Sequence, residues 1–74
     1  MYGTVVGFSS CKNPDYLNVF IVPKDPPTGL VGQAVFNYKL KKEHLVQSPD
    51  KYVGRELNCL TSGNFCNGFT KELV

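Results

Sequence analysis

The sequence is poor in the residues on which most catalytic sites depend. Its 74 residues include no tryptophan and one histidine, His44, although histidine is the side chain most often used in acid–base catalysis. His44 stands next to Glu43, and neighbours on a helix point about 100° apart, so the two do not form a relay. The six acidic residues are scattered and the seven glycines form no phosphate-binding loop. We therefore expect a protein that is not an enzyme.

Long apolar runs are also missing, and cysteines are few. No run approaches the ~20 residues of a membrane-spanning helix, and Met1–Thr4 is not the basic start of a signal peptide. Cys11, Cys59 and Cys66 are an odd number, with spacing unlike that of a zinc site. We therefore expect reduced thiols, no metal or other cofactor, no membrane partner and a cytoplasmic location. Cys59 and Cys66 could nevertheless approach each other if they face across a hairpin.

Alternation of apolar and polar residues predicts a chain of short strands. In the second strand Leu17, Val19 and Ile21 share one face, and Phe20 lies on the other. A turn at Ser62-Gly63 joins the last two strands and leaves them longer than the competing Asn67-Gly68 turn would. Gly3 and Gly7 indicate a bend or bulge in the first strand. The predicted strands are Tyr2–Phe8, Tyr16–Val22, Leu30–Leu40, Val53–Leu60 and Asn64–Leu73.

The order of these segments predicts the fold class. One short helix, Lys41–Gln47, separates three strands from the final two, and Ser48-Pro49 ends it. We expect residues 1–74 to form one mainly β domain, a small five-stranded OB-like or SH3-like barrel with this helix between strands 3 and 4. The third strand places Ala34, Phe36, Tyr38 and Leu40 on one face. Three prolines make Pro23–Gly29 a stiff surface loop.

Basic residues interleaved with aromatics suggest a function. Proteins that bind single strands combine a cationic groove with aromatic platforms on which bases stack. The formal net charge of +2 permits an anionic partner without requiring one. We predict a weak, sequence-tolerant domain that binds single-stranded DNA or RNA, with Phe20 and Tyr38 stacking on bases. The residues expected to meet phosphates are Lys39, Lys41, Lys42 and Arg55.

A protein-interaction or inhibitor module is the alternative from a different class. Such a module would bind a larger protein through Pro23–Gly29, because a rigid loop loses little entropy on binding. Small stand-alone domains of this kind are common in mobile elements and viruses. A homodimer would suit a chain this short, since its core is thin and gains from burying another apolar face.

Overall fold

The computed structural model describes residues 1–24 and 35–70, and most of these are in strands. Of the described residues, 58% are in strands and 10% in helical turns. Two 3₁₀ turns, Lys42–His44 and Pro49–Lys51, lie between the third and fourth strands. The strands are β1 (Tyr2–Ser10), β2 (Tyr16–Pro23), β3 (Phe36–Lys41), β4 (Glu56–Ser62) and β5 (Phe65–Phe69).

The five strands close into a barrel in the order β1-β2-β3-β5-β4. β1 pairs antiparallel with both β2 and β4, which removes exposed edges from the sheet. The barrel is closed by a parallel seam between β3 and β5, where Lys39 is opposite Phe65 and Leu40 is opposite Cys66. The predicted small five-stranded β-barrel, with a short helical turn between strands 3 and 4, is therefore confirmed.

The core consists of the inward faces of all five strands. Val19 and Ile21 of β2 are buried, as their alternation predicts, and Tyr38 and Leu40 lie on the inward face of β3. Burying such an aliphatic side chain contributes about 1.5–3 kcal/mol. Within the described ranges, the buried residues that form this core cluster are Val5, Val19, Ile21, Leu40, Leu57, Cys59 and Cys66.

The predicted irregularity in β1 is present. The pairing register with β2 shifts between Val5 and Gly7, so one extra residue bulges out of the ladder. Gly3 lies against β2 so closely that a Cβ atom there would be 2.6 Å from the Val22 carbonyl oxygen. A Cβ atom on Gly7 would meet nothing within 4 Å. Gly3 therefore allows close strand packing, and Gly7 marks the end of the bulge.

The short helical element predicted between strands 3 and 4 is present, as a 3₁₀ turn that occupies part of the predicted span Lys41–Gln47. Only Lys42–His44 turns, as a single 3₁₀ turn, and Leu45 returns to extended backbone at φ −88° and ψ 126°. Ser48, which precedes a proline, is also extended, at φ −65° and ψ 149°. Leu45 and Tyr52 of this connection pack against the core, so the segment still covers the barrel without forming an α-helix.

The β4–β5 hairpin confirms the preferred turn. Ser62 pairs with Phe65, and Gly63 has a positive φ of 58°, which glycine adopts without steric cost. The alternative turn, Asn67-Gly68, instead lies within β5. β4 begins at Glu56 rather than at Val53, because the chain turns at residues 52–54.

The prediction for the proline-rich loop needs one correction. Pro23 is buried and is the last residue of β2, where it is opposite Gly3 of β1. A terminal strand position tolerates proline. The remainder of Pro23–Gly29 beyond Lys24, the first part of the strand predicted at Leu30–Leu40, and the end of Asn64–Leu73 lie outside the described residues.

The prediction of reduced cysteines is also wrong for one pair. Cys59 of β4 and Cys66 of β5 are joined by a disulfide, with Cα atoms 6.3 Å apart, while Cys11 is free. The two residues lie diagonally across the hairpin, since Cys66 is opposite Thr61 and Cys59 is opposite Phe69, and the pairing register shifts between Cys59 and Thr61. The cytoplasmic location loses the support of reduced thiols and stays a prediction.

Candidate functional site

The outer face of β2 and β3 presents aromatic, amide and basic side chains together. Residues opposite each other on paired strands point to the same side of the sheet. The three outward pairs are Tyr16 with Lys41, Asn18 with Lys39, and Phe20 with Asn37. This face therefore alternates rings, amides and cations over a short distance.

A cleft opens where this face meets the β1–β2 loop and the start of β5. Its volume is about 260 Å³. We call it the Tyr16–Phe65 cleft. Cys11 and Asn13 line it from the loop, Tyr16 and Lys39 from β2 and β3, and Phe65 from β5. The lining brings together residues that are up to 54 positions apart in the sequence (65 − 11).

Two aromatic rings define one side of the cleft. The ring centroids of Tyr16 and Phe65 are 6.1 Å apart, with their planes inclined at 60°. This edge-to-face contact is a favourable arrangement for two rings. Phe65 is nevertheless 47% exposed, so much of its ring is open to a ligand.

The hairpin turn and the barrel seam determine where Phe65 lies. Gly63 provides the tight turn, and Phe65 follows directly at the beginning of β5. The Lys39 N–H donates to the Asn64 carbonyl oxygen at 2.9 Å. This bond fixes the turn against β3, so Phe65 lies beside Lys39 rather than over the core.

Local hydrogen bonds order the β1–β2 loop beside the cleft. The Asn13 Oδ1 atom accepts the Asp15 N–H at 2.9 Å, and the Asn13 carbonyl accepts the Tyr16 N–H at 3.1 Å. The Cys11 thiol is within 3.3 Å of the Asn13 carbonyl oxygen and 3.2 Å of that of Tyr16. An Asx turn of this kind gives the loop a defined shape, which presents Asn13 to the cleft.

The cations of this face are not equivalent. Lys39 lines the cleft directly. Lys41 Nζ lies 3.2 Å from Glu43 Oε1, and hydrogen bonding to Glu43, followed by its charge, raises the pKa of Lys41 above its usual value. Lys42 contributes to a second hollow of about 290 Å³ that Asp15, Lys41 and Glu43 also line. Acidic neighbours therefore offset the positive potential near Lys41 and Lys42 more than near Lys39.

Comparisons with known proteins give no relative. No family model, curated protein or solved structure matches this chain. Within residues 1–24 and 35–70, no three His, Cys, Asp or Glu side chains are grouped as metal ligands would be. In the same ranges, no helix has the length and apolar character needed to cross a membrane.

The structure brings together part of the predicted site. Phe20, Lys39 and Lys41 share the outer face of β2 and β3, and Lys42 follows at the end of β3. Tyr38 does not join them: it faces inward, packs against the core and directs its hydroxyl toward Met1 Sδ at 3.9 Å. The stacking role predicted for Tyr38 is therefore not supported by its position.

Arg55 lies elsewhere, and two aromatics were missed. Arg55 precedes β4, and its carbonyl accepts the Val5 N–H of β1 at 3.0 Å, so it is not on β2 or β3. Tyr16 and Phe65 carry the aromatic character of the cleft instead. The alternation of β2 places Tyr16 on the same face as Phe20, but the contact of Tyr16 with Phe65 depends on the β3–β5 seam.

Proposed function

We propose that this chain is a non-enzymatic domain that binds single-stranded nucleic acid through the outer face of β2 and β3. One observation carries the proposal: a half-exposed aromatic ring, Phe65, lies beside Lys39 on this face of an OB-like barrel. Barrels of this class bind oligonucleotides with strands 2 and 3 and with the loops between strands 1 and 2 and between strands 4 and 5. The cleft is lined by the loop between strands 1 and 2, by β2 and β3, and by Phe65 at the start of β5, just after the loop between strands 4 and 5.

The chemistry of the face suits a single strand. Exposed rings offer π faces to bases, and each stacked base contributes about 1–3 kcal/mol. Lys39 and Lys41 are spaced by two residues along β3 and point the same way, so they form a short basic row beside the rings. A row of this kind can follow a phosphate backbone while bases contact Tyr16, Phe65 and Phe20.

The same features favour weak binding with little sequence preference. Few cations line the face, the chain carries a formal net charge of only +2, and Glu43 pairs with Lys41. Each phosphate neutralised on a single strand contributes ~0.7 to the log–log salt slope, so two or three contacts give a shallow slope. Stacking tolerates any base, because every base has a π face.

Fluorescence anisotropy of a labelled 12-nucleotide single strand tests the proposal, with mixed-sequence DNA and RNA at low and moderate salt. We expect binding at low salt that weakens as salt rises. The double variant Lys41→Glu, Lys42→Glu should bind more weakly than wild type at each salt concentration. Lys51→Glu, in the second 3₁₀ turn, is the control for the effect of reversing one charge away from this face. Absence of binding by wild type at low salt would refute the proposal. Protein pull-down would then be the test of the interaction-module alternative.

A further inference from the structure

We propose that the Tyr16–Phe65 cleft holds one unpaired nucleobase, stacked on the exposed side of Phe65, with the neighbouring phosphate at Lys39. This inference rests on the proposed function and names the ligand of its central subsite. The cleft is therefore the part of the face that discriminates between an unpaired nucleotide and a base within a duplex.

The size of the cleft is suited to a single base. Its volume of about 260 Å³ corresponds to roughly nine water molecules at ~30 Å³ each. Sites for drug-sized ligands are generally larger, about 300–1,000 Å³. One planar ring system fits a space of this scale.

The lining combines an apolar wall with polar groups at the edge. Tyr16 and Phe65 form the aromatic wall, since their rings meet edge to face. Asn13 lies on the loop side, and its Oδ1 is already occupied by the Asp15 N–H. The Asn13 amide NH₂ is then the group left to donate to a base edge. Keto oxygens and ring nitrogens occur on several bases, so this contact tolerates sequence variation.

Charge and position complete the argument. Lys39 lines the same cleft and is opposite Phe65 in the β3–β5 seam. A base stacked on Phe65 therefore places its own backbone within reach of a flexible ammonium group. A base inside a duplex has both faces covered by its neighbours, and extracting it costs a few kcal/mol, so the cleft selects unpaired bases.

The experiment uses a single-stranded thymidine hexamer in which one central base is 2-aminopurine, whose emission falls when it stacks. A fluorescein-labelled thymidine hexamer reports total binding by anisotropy. The variants are Phe65→Leu, which removes the π face, and Phe65→Tyr, which keeps it. Leu60→Ala is the matched control, because Leu60 is 46% exposed, as Phe65 is, but lies on β4 and does not line the cleft. Thermal melts establish that each variant is folded.

We expect wild type, Phe65→Tyr and Leu60→Ala to quench 2-aminopurine on binding. Phe65→Leu should lose the quench and bind about 5- to 150-fold more weakly. An unlabelled GC-rich duplex, long enough to stay paired, should compete at least about tenfold less well than the unlabelled single strand. Anisotropy binding without quench, equal quench by Phe65→Leu, or equal competition by duplex would overturn the inference and leave the proposed function standing. No anisotropy binding by wild type would overturn both.

Discussion

Two groups of aromatic side chains lie on opposite sides of the barrel wall. The inner group contains Phe8, Tyr52 and Phe69, with Tyr52 stacked on Phe69 at 5.0 Å and edge-on to Phe8 at 6.5 Å. The outer pair is Tyr16 and Phe65, whose centroids are 6.1 Å apart. The ring separations are similar, but all three inner rings pack against the core, and Phe65 is 47% exposed.

This difference in exposure indicates that the inner group stabilises the fold, whereas the outer pair is available for ligand binding. Tyr52 links the β3–β4 connection to β1 and β5, and its hydroxyl accepts the Val46 N–H at 3.2 Å. The inner group thus holds a segment that has little regular structure of its own. The outer pair holds nothing comparable, because β5 is already fixed by β4 and by the seam with β3. Its free ring surface is available to a ligand.

The largest expected effect comes from removing the centre of the inner group. Tyr52→Ala should lower the free energy of unfolding by about 2–4 kcal/mol, since it leaves a cavity between Phe8 and Phe69. Phe65→Ala should lower it by less than about 1 kcal/mol. Urea denaturation followed by circular dichroism measures both. Equal losses would mean that the outer pair is structural after all.

The disulfide gives the next largest effect. Replacing Cys59 and Cys66 together with serine should cost about 2–3 kcal/mol, because the closed loop is short and the entropy it removes from the unfolded chain is modest. Cys11→Ser, as the control, should change stability by less than about 0.5 kcal/mol. Chemical denaturation with and without reductant measures these differences.

A count of thiols provides an independent check of the same bridge. The unreduced, denatured protein should show one reactive thiol of its three cysteines, which is Cys11. A count of three would contradict the pairing. The peptide linked through Cys59 and Cys66 should appear in a digest made without reductant.

The contrast between the two aromatic groups also explains what the sequence could predict. Alternation identified the strands and their inward faces, because burial on one side of a strand repeats every second residue. The same alternation already grouped Tyr38 with Leu40 on one face of the strand. Tyr38 was predicted to stack on a base because it is next to Lys39 in the sequence, although the strand geometry places the two side chains on opposite faces. Adjacent residues on a strand point to opposite sides.

Long-range features could not be predicted in the same way. The contact of Tyr16 with Phe65 requires the parallel β3–β5 seam, which no local pattern encodes. The connection after β3 is helical only over short 3₁₀ turns, because its apolar residues, Leu45 and Tyr52, cover the core from extended and turn conformations. Tertiary packing outweighed weak helix propensity there.

A smaller effect is expected on the salt dependence of nucleic-acid binding when the charge of Lys39 is removed. Lys39→Gln should reduce the log–log salt slope for a single-stranded oligonucleotide by ~0.7, the value for one phosphate contact. Lys51→Gln removes the same charge from the second 3₁₀ turn and should leave the slope nearly unchanged. Anisotropy titrations at four salt concentrations measure both slopes. Equal reductions would indicate a general charge effect with no defined site.

The smallest expected effect tests whether Glu43 lowers the affinity of the outer face of β2 and β3 for a single strand. Glu43 holds Lys41 by a 3.2 Å ion pair and raises its pKa, so it competes with phosphate for the same ammonium group. Glu43→Gln should tighten binding of a single strand by about two- to threefold, as expected for an exposed pair. Asp50→Asn removes one negative charge from the second 3₁₀ turn and is the matched control. An equal gain in both variants would attribute the effect to net charge.

The pH dependence of the Glu43→Gln effect shows whether affinity rises because Glu43 no longer competes with phosphate or because the protonation of Lys41 changes. A pKa raised in the folded protein stabilises the fold below the unfolded value of 10.5 and loses that contribution as pH rises through the folded value. Glu43→Gln should therefore lose a small part of its stability at neutral pH, and the loss should vanish in strong alkali. Between about pH 6 and pH 8 Lys41 stays protonated with or without Glu43, so the gain in affinity should be constant there. A gain that varies across this range would show that another titrating group is responsible.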